Sequence, residues 1–414
     1  MRSLNSWLTG KRLRAHGLIL ALCLWSVYLW NMSTPGLRDR GGNLKGTDFL
    51  HFYTLGFLAV EHRGADLYDM QAQSELTTLR VPASAGVRYL PLYPPQVSLF
   101  FAPFALLPYA WSLLCWLSMS AAIYGLCCYR VWRTCSNLRG YGGGSVLILA
   151  TAFPPFWHLI AWGQTSALAL VFFTLAFFAL RSGREFMAGL CLGCLVFKPQ
   201  LGLAAAVVFL IAVRWRIIAG ALLSACAELM AGALYYGFAP LREWVRVLLN
   251  TPHLLPLLEP KLYQTYSLRT FWRMLIPWPS ISLSLYVITA TLVCALTVGC
   301  WRSKIALPLR YSVLLFASVL IAPHLTAYDL VVLAPAFFLL CDWVIEQPQK
   351  PRVSLLKLLL YFAFALPLIG PLARWTHIQF FVPVAAVLLF EIFWLGRNRL
   401  ADAAQPAVPN LGRI

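Results

Sequence analysis

The sequence predicts an all-α membrane protein built from roughly ten to twelve membrane segments. Three observations carry this. The chain is 60% hydrophobic and 12% charged, with a mean hydropathy of +0.71, whereas a soluble domain is about a quarter charged. Apolar runs close to the ~20 residues needed to cross hydrocarbon recur along its length. None of them alternates in polarity with the period of two that strands of a membrane barrel require. Lipid offers backbone amides no partner, so such runs must close their hydrogen bonds internally, as helices. Soluble folds are excluded.

The first run, 17–31, is followed by no small-residue cleavage site and reads as a retained anchor. Next come 91–108, 110–132, 146–160, 165–180, 187–213, 217–238, 282–301, 305–322, 328–345, 353–370 and 378–395. The net charge of +18 could indicate nucleic-acid binding, but the basic residues form short clusters beside apolar runs, as topology signals do. Lys11, Arg12 and Arg14 precede the first run and place the N-terminus in the cytoplasm. Arg214, Arg216, Arg302, Lys304, Lys350, Arg352, Arg397 and Arg399 fit the same side. Arg130, Arg133 and Arg139 do not if 91–108 and 110–132 both span, so either 91–108 or 146–160 is expected to be re-entrant or incomplete. Most of the 11 cysteines lie inside apolar runs, as small hydrophobes. The Cys191–Cys194 pair has no second pair or histidine near it in sequence, so no metal or redox role is expected.

These features describe one transmembrane domain, 1–396, and a tail, 397–414, expected to be cytoplasmic and disordered. Two polar segments, 32–90 and 239–281, fall on the side opposite the N-terminus, where the chemistry is expected. In the first, Phe49, Phe52, Tyr53, Gly56, Phe57 and Val60 recur at helical spacing and suggest an amphipathic helix on the membrane surface. Asp48 stands at its start. It is either a helix cap or a carboxylate held where lipid meets water. Tyr68, Tyr89 and Tyr93 suit interface anchors, and Pro94 and Pro95 suit the first turn of the following helix.

Ionisable groups at membrane depth are costly and mark function by default. Lys198, in LVFKPQLGL, precedes the cytoplasmic RWR cluster by about 25 Å of helix, so it belongs near the opposite face, either snorkelling to the interface or holding a phosphate. Gln164 follows a turn-forming glycine in AWGQTSA and either caps a broken helix or meets a sugar hydroxyl. His324, Tyr328 and Asp329, in APHLTAYDL, fall where two spans meet. Glu228, inside a run, suits a bond to a neighbouring helix.

Taken in order, TDFLHFY, ADLYD, YLPLYPP, WGQTSALAL, AGLCLGCLVFKPQLGL and PHLTAYDL resemble the GT-C glycosyltransferases of family 87, a family that includes polyprenyl-phosphate-mannose-dependent α-mannosyltransferases. The resemblance covers most of residues 45–345. It implies a GT-C fold, an active site on the external face of a membrane, expected to be the bacterial inner membrane, and no cofactor. It also implies a polyprenyl-phosphate sugar donor, a lipid or glycan acceptor and an inverting displacement. On this reading Asp48 is the general base, and Lys198, His324 and Arg269 receive the donor phosphate. Tyr53, Tyr93, Gln164, Tyr328 and Asp329 line the substrate site. Related enzymes often carry paired acids in the first loop; here Phe49 follows Asp48, so a metal-bridged site is not expected. The rival readings are a transporter or flippase of a lipid-linked saccharide, and a glycan ligase using a diphosphate donor.

Overall fold

The computed structural model describes residues 9–348 and 350–404. The described chain is helical nearly throughout and contains no strand, only isolated bridges at Arg38–Leu44 and Thr265–Thr326. In order the helices are α1 (Gly10–Met32), α2 (Thr47–Val60), α3 (Met70–Arg80), α4 (Gln96–Ala105), α5 (Tyr109–Trp132), α6 (Gly143–Thr151), α7 (Pro154–Trp162), α8 (Ser166–Arg181) and α9 (Glu185–Gly193). They continue as α10 (Pro199–Ile211), α11 (Trp215–Tyr236), α12 (Phe238–Leu258), α13 (Leu268–Leu275), α14 (Pro279–Arg302), α15 (Leu307–Ile321), α16 (Ala334–Ile345), α17 (Pro351–Ala365) and α18 (Phe381–Ala404). Short single turns join some of these.

Among the described residues, seven helical stretches are long and apolar enough to cross a membrane, and an eighth forms if α6 and α7, bent by 53° at their junction, are one span. The other apolar runs make shorter helices: α4, α8, α9 with its 3-10 extension to Phe197, α10 and α15. The stretch 187–213 is therefore not one helix. It breaks at Lys198, because Pro199 has no amide proton to continue the preceding turn and opens α10 as its first residue. The two runs in doubt, 91–108 and 146–160, both depart from a straight span, one as the ten-residue α4 and the other as the bent α6–α7 pair. The last helix runs on to Ala404, into the segment assigned to a tail; residues 405–414 lie outside the described residues.

The expectation for α2 needs correction. It does not lie on the surface, because ten of its fourteen residues are buried, from Phe49 to Ala59. Leu50, Leu55 and Leu58 widen the aromatic stripe until the helix is apolar nearly all round, and such a helix belongs inside a bundle. It packs on α4, where Gly56 meets the backbone of Phe101 so closely that a Cβ would lie 2.4 Å from the Phe101 oxygen. α9 and α11 pack by the same device: Gly189 and Gly193 of α9 face the backbone of Ile217 and Ala221, and Gly220 of α11 faces that of Phe186. Small residues at such spacing let helices touch backbone to backbone where lipid supplies no hydrophobic drive. Glu228 of α11 lies beside Cys194 and Gln96, between helices.

The centre of the bundle is α15, buried at almost every position and packed against α10, α14, α16 and α18. The periphery carries exposed Leu18, Ile19, Leu22, Leu222, Leu223, Val287 and Ile288 on α1, α11 and α14, the distribution a lipid-facing surface requires. Four interruptions of helix meet inside: the start of α2, the α7–α8 junction, the break at Lys198, and the 3-10 segment Ala327–Leu333, which packs on α7 and α8. Irregular backbone at membrane depth is tolerated where protein covers it or where it lines a cavity.

Candidate active site

Asp48 is not a helix cap. The N-cap of α2 is Gly46, in the left-handed region at φ +65°, and no side chain caps that helix. The Asp48 Oδ2 instead accepts a hydrogen bond from Gln164 Nε2 at 2.7 Å. Two glycines make this meeting possible. Gly163 ends α7 at φ +71°, the conformation that lets a helix terminate without a side-chain clash. A Cβ there would stand 2.8 Å from the Cβ of Phe49 and 3.7 Å from the Cα of Gly46. The indole of Trp116 holds the Gly163 carbonyl at 2.9 Å, and the hydroxyl of Tyr109 holds those of Lys45 and Gly46 at 2.7 and 3.0 Å. Asp48 keeps part of its surface open. Dense surroundings push its carboxyl up to about 6, against the Gln164 hydrogen bond and the charge of Lys198, which pull it down.

Lys198 is almost fully buried and binds Asp329 Oδ1 at 2.6 Å and Ser166 Oγ at 2.9 Å; Ser166 in turn donates to the same oxygen at 2.5 Å. The amide and hydroxyl of Thr326 both reach the second oxygen of Asp329 at 3.2 Å. A carboxylate has about four acceptor positions, so Asp329 is fully occupied by the protein. One of its oxygens faces Lys198 and Ser166, the other Thr326. The Lys198 ammonium sits 5.0 Å from the centre of the Tyr328 ring. Asp48 and Tyr93 are both within electrostatic reach of Lys198 and Asp329, and Asp48 is within reach of Tyr328.

His51 stands one turn after Asp48, on the same face of α2. Its ring is 5.0 Å from that of Tyr89 and 5.8 Å from that of Tyr93, and neither ring nitrogen has a hydrogen-bond partner among the described residues. Burial lowers it to about 4, so the imidazole is neutral near pH 7. Tyr89 donates to the carbonyl of Thr47, and Tyr68 to that of Tyr93. These tyrosines are internal braces of the site.

Three further expected site residues have partners of their own. Tyr53 is buried and donates to the Leu107 carbonyl at 2.7 Å, which makes it a packing residue between α2 and the turn before α5. Arg269 and His324 gather around Glu259 at the end of α12: the guanidinium pairs with its carboxylate and bonds the Pro323 carbonyl, and His324 Nδ1 meets Glu259 Oε1 at 2.7 Å. Burial would raise the Glu259 carboxyl, but His324 and Arg269 hold it below the ordinary value. This second cluster joins the first through 323–329, anchored by Tyr266 N donating to the Leu325 carbonyl at 2.9 Å.

The model of glycosyltransferase family 87 matches residues 92–333, which takes in Tyr93, Gln164, Ser166, Lys198, Glu259, Arg269, His324 and Asp329. The chain belongs to glycosyltransferase family 87. Searches of curated proteins and of solved structures return no match. As a family 87 protein with this helical fold, it is a membrane glycosyltransferase. Asp48 precedes the matched region, and the fold brings it to that region through Gln164.

For a family 87 glycosyltransferase the arrangement offers one partly exposed carboxylate, raised to about 6, beside a buried cation whose own counter-ion is fixed. Sequence reasoning missed Ser166 and Thr326 because Ser and Thr near a helix start are ordinary capping residues. It missed Glu259 because a lone acid in a polar loop carries no pattern. It passed over His51 as one more residue of an aromatic stripe.

Proposed function

We propose that this membrane glycosyltransferase moves a hexose, mannose by its family resemblance, from a polyprenyl-phosphate donor to a lipid or glycan acceptor at the non-cytoplasmic face. In one displacement the acceptor oxygen attacks the anomeric carbon and its proton passes to Asp48. The bond from carbon to phosphate oxygen breaks with its electron pair on the departing polyprenyl phosphate, and the anomeric centre inverts. A base near pH 6 is largely ionised at pH 7 and still basic enough to accept the proton as the bond forms. Gln164 orients it. Lys198, held by Asp329, and the Arg269–His324 pair provide positive potential for the leaving phosphate, the latter once the phosphate displaces Glu259 from them.

The observation that carries this reading is Asp48: partly open, held by Gln164 and lifted to about 6 beside Lys198. The deciding experiment offers purified protein a polyprenyl-phosphate mannose donor and compares wild type with Asp48→Asn. Transfer should be lost in the variant with donor affinity retained, whereas a flippase would move lipid-linked saccharide equally well with either side chain. A diphosphate donor used in preference to the monophosphate would indicate a ligase instead.

A further inference from the structure

A groove of about 310 Å³ opens beside the start of α2, between the far end of α1, the loop 39–44 and the end of α7. This is the lower end of the range of small-ligand sites, roughly 300–1,000 Å³. It touches the catalytic constellation at two points. Thr47, in its wall, is bonded to Asp48, and Trp162, also in its wall, is followed by Gly163 and Gln164, the partner of Asp48.

Its chemistry is aromatic on the flanks and polar along one side. Trp30, Trp162 and Tyr28 contribute rings; Trp30 and Trp162 are 63% and 39% exposed, far more than the indoles that build the core. Trp157 is fixed as inner wall by its indole, which donates to the Leu24 carbonyl at 2.9 Å. Asn31 Nδ2 donates to one oxygen of Asp39 at 3.1 Å, and the Asn43 amide nitrogen of the main chain donates to the other at 2.9 Å. Two acceptor positions of that carboxylate remain, and the side-chain amide of Asn43 has no partner among the described residues.

This composition selects its occupant. A hydrocarbon tail would strip water from a carboxylate and two amides with nothing in return. A phosphate would meet Asp39, the one charged residue in the lining, while the loop cations Lys45 and Arg38 are turned onto backbone carbonyls. Arg40 is stacked over one face of Trp30, 4.7 Å from the ring centre, with its guanidinium bonded to the Trp30 carbonyl and the Ser33 hydroxyl, which covers that face of the indole. A neutral pyranose has apolar C–H faces for the indoles and hydroxyls for Asp39, Asn31 and Asn43.

We propose that this groove is the acceptor subsite and binds the sugar headgroup of a glycan or glycolipid acceptor, with one hydroxyl directed past Thr47 to Asp48. The assignment rests on the transferase reading above only in calling the bound sugar an acceptor; the binding itself is independent of it.

The test places wild-type protein in phosphatidylcholine nanodiscs and titrates octyl α-D-mannopyranoside, octyl β-D-glucopyranoside and 1-octanol, read by saturation transfer to the ligand protons. At least one glycoside should bind through its ring protons, and octanol should not compete. Trp162→Ala and Asn43→Ala should each weaken binding about tenfold, and Trp162→Phe should restore most of it. Competition by octanol, failure of every glycoside to bind, or indifference to both alanine variants overturns the proposal. If Asp48→Asn kept full transfer while glycoside binding behaved as expected, the general-base reading would fail and the groove would stand. Loss of transfer in Asp48→Asn with no glycoside binding would reverse the two.

Discussion

Gln164 reaches Asp48 across a junction of two glycines, Gly46 and Gly163, and the 2.7 Å hydrogen bond between them ties the start of α2 to the break between α7 and α8. The bond orients the carboxylate and partly opposes the burial that raises it.

Asp48→Asn should reduce transfer by about 10²–10⁴-fold, the usual contribution of a general base. In wild type, kcat/KM should climb as pH rises through about 6 and then level, because only the ionised carboxylate accepts a proton. A flat profile between pH 5 and 8 would exclude Asp48 as the base.

The same substitution should stabilise the fold at neutral pH. The carboxyl titrates near 3.8 when exposed and about 6 when folded, so the folded state favours the protonated form. Wild-type stability therefore falls as pH rises from about 4 to 6, by roughly 3 kcal/mol, and stays lower above that. The amide mimics the neutral acid. Asp48→Asn should thus raise the unfolding temperature at pH 7.5 and leave it unchanged near pH 4, measured in one detergent at both pH values.

Gln164→Leu removes the hydrogen bond that lowers Asp48, and a hydrogen bond to a charged group is worth about 1.5–3 kcal/mol. The acid limb of kcat/KM should move to higher pH by about one pH unit or more, with maximal kcat reduced less than in Asp48→Asn. Pre-steady-state transfer across pH 5–9 measures this shift.

Removing one partner of the Lys198–Asp329 pair leaves the other buried without compensation, at a cost of about 3–5 kcal/mol. Asp329→Ala should therefore be severely destabilised. Lys198→Met combined with Asp329→Leu should recover much of the loss while remaining inactive. A double-mutant cycle by thermal unfolding reads the coupling directly. Additive effects would show that the pair acts as two separate residues.

Gly163→Ala forces a side chain into the left-handed region, costing about 1–2 kcal/mol, and drives a methyl group into Phe49. Gly142→Ala is the control: its φ is +80°, yet nothing lies within 4 Å of the added atom. Only the first should lower kcat, because only it separates Gln164 from Asp48.

Much of this protein follows from its sequence alone. The all-α membrane class is fixed by composition, since 60% hydrophobic residues in long runs leave the backbone no other way to satisfy its amides. Asp48, Gln164, Lys198 and the PHLTAYDL segment are visible as polar groups where apolar ones are expected. Their partnerships are not. The bond from Asp48 to Gln164 spans 116 residues and that from Lys198 to Asp329 spans 131, and no local periodicity encodes which polar side chains meet. Only packing could decide that Asp329 is consumed by Lys198, that Arg269 and His324 gather on Glu259, that Tyr53 braces a helix, and that α2 is buried rather than resting on the membrane. Hydrophobicity specifies what leaves water, but the choice of neighbour depends on how helices fit, and here Gly56, Gly163, Gly189, Gly193 and Gly220 set that fit by letting backbones approach where any side chain would hold them apart.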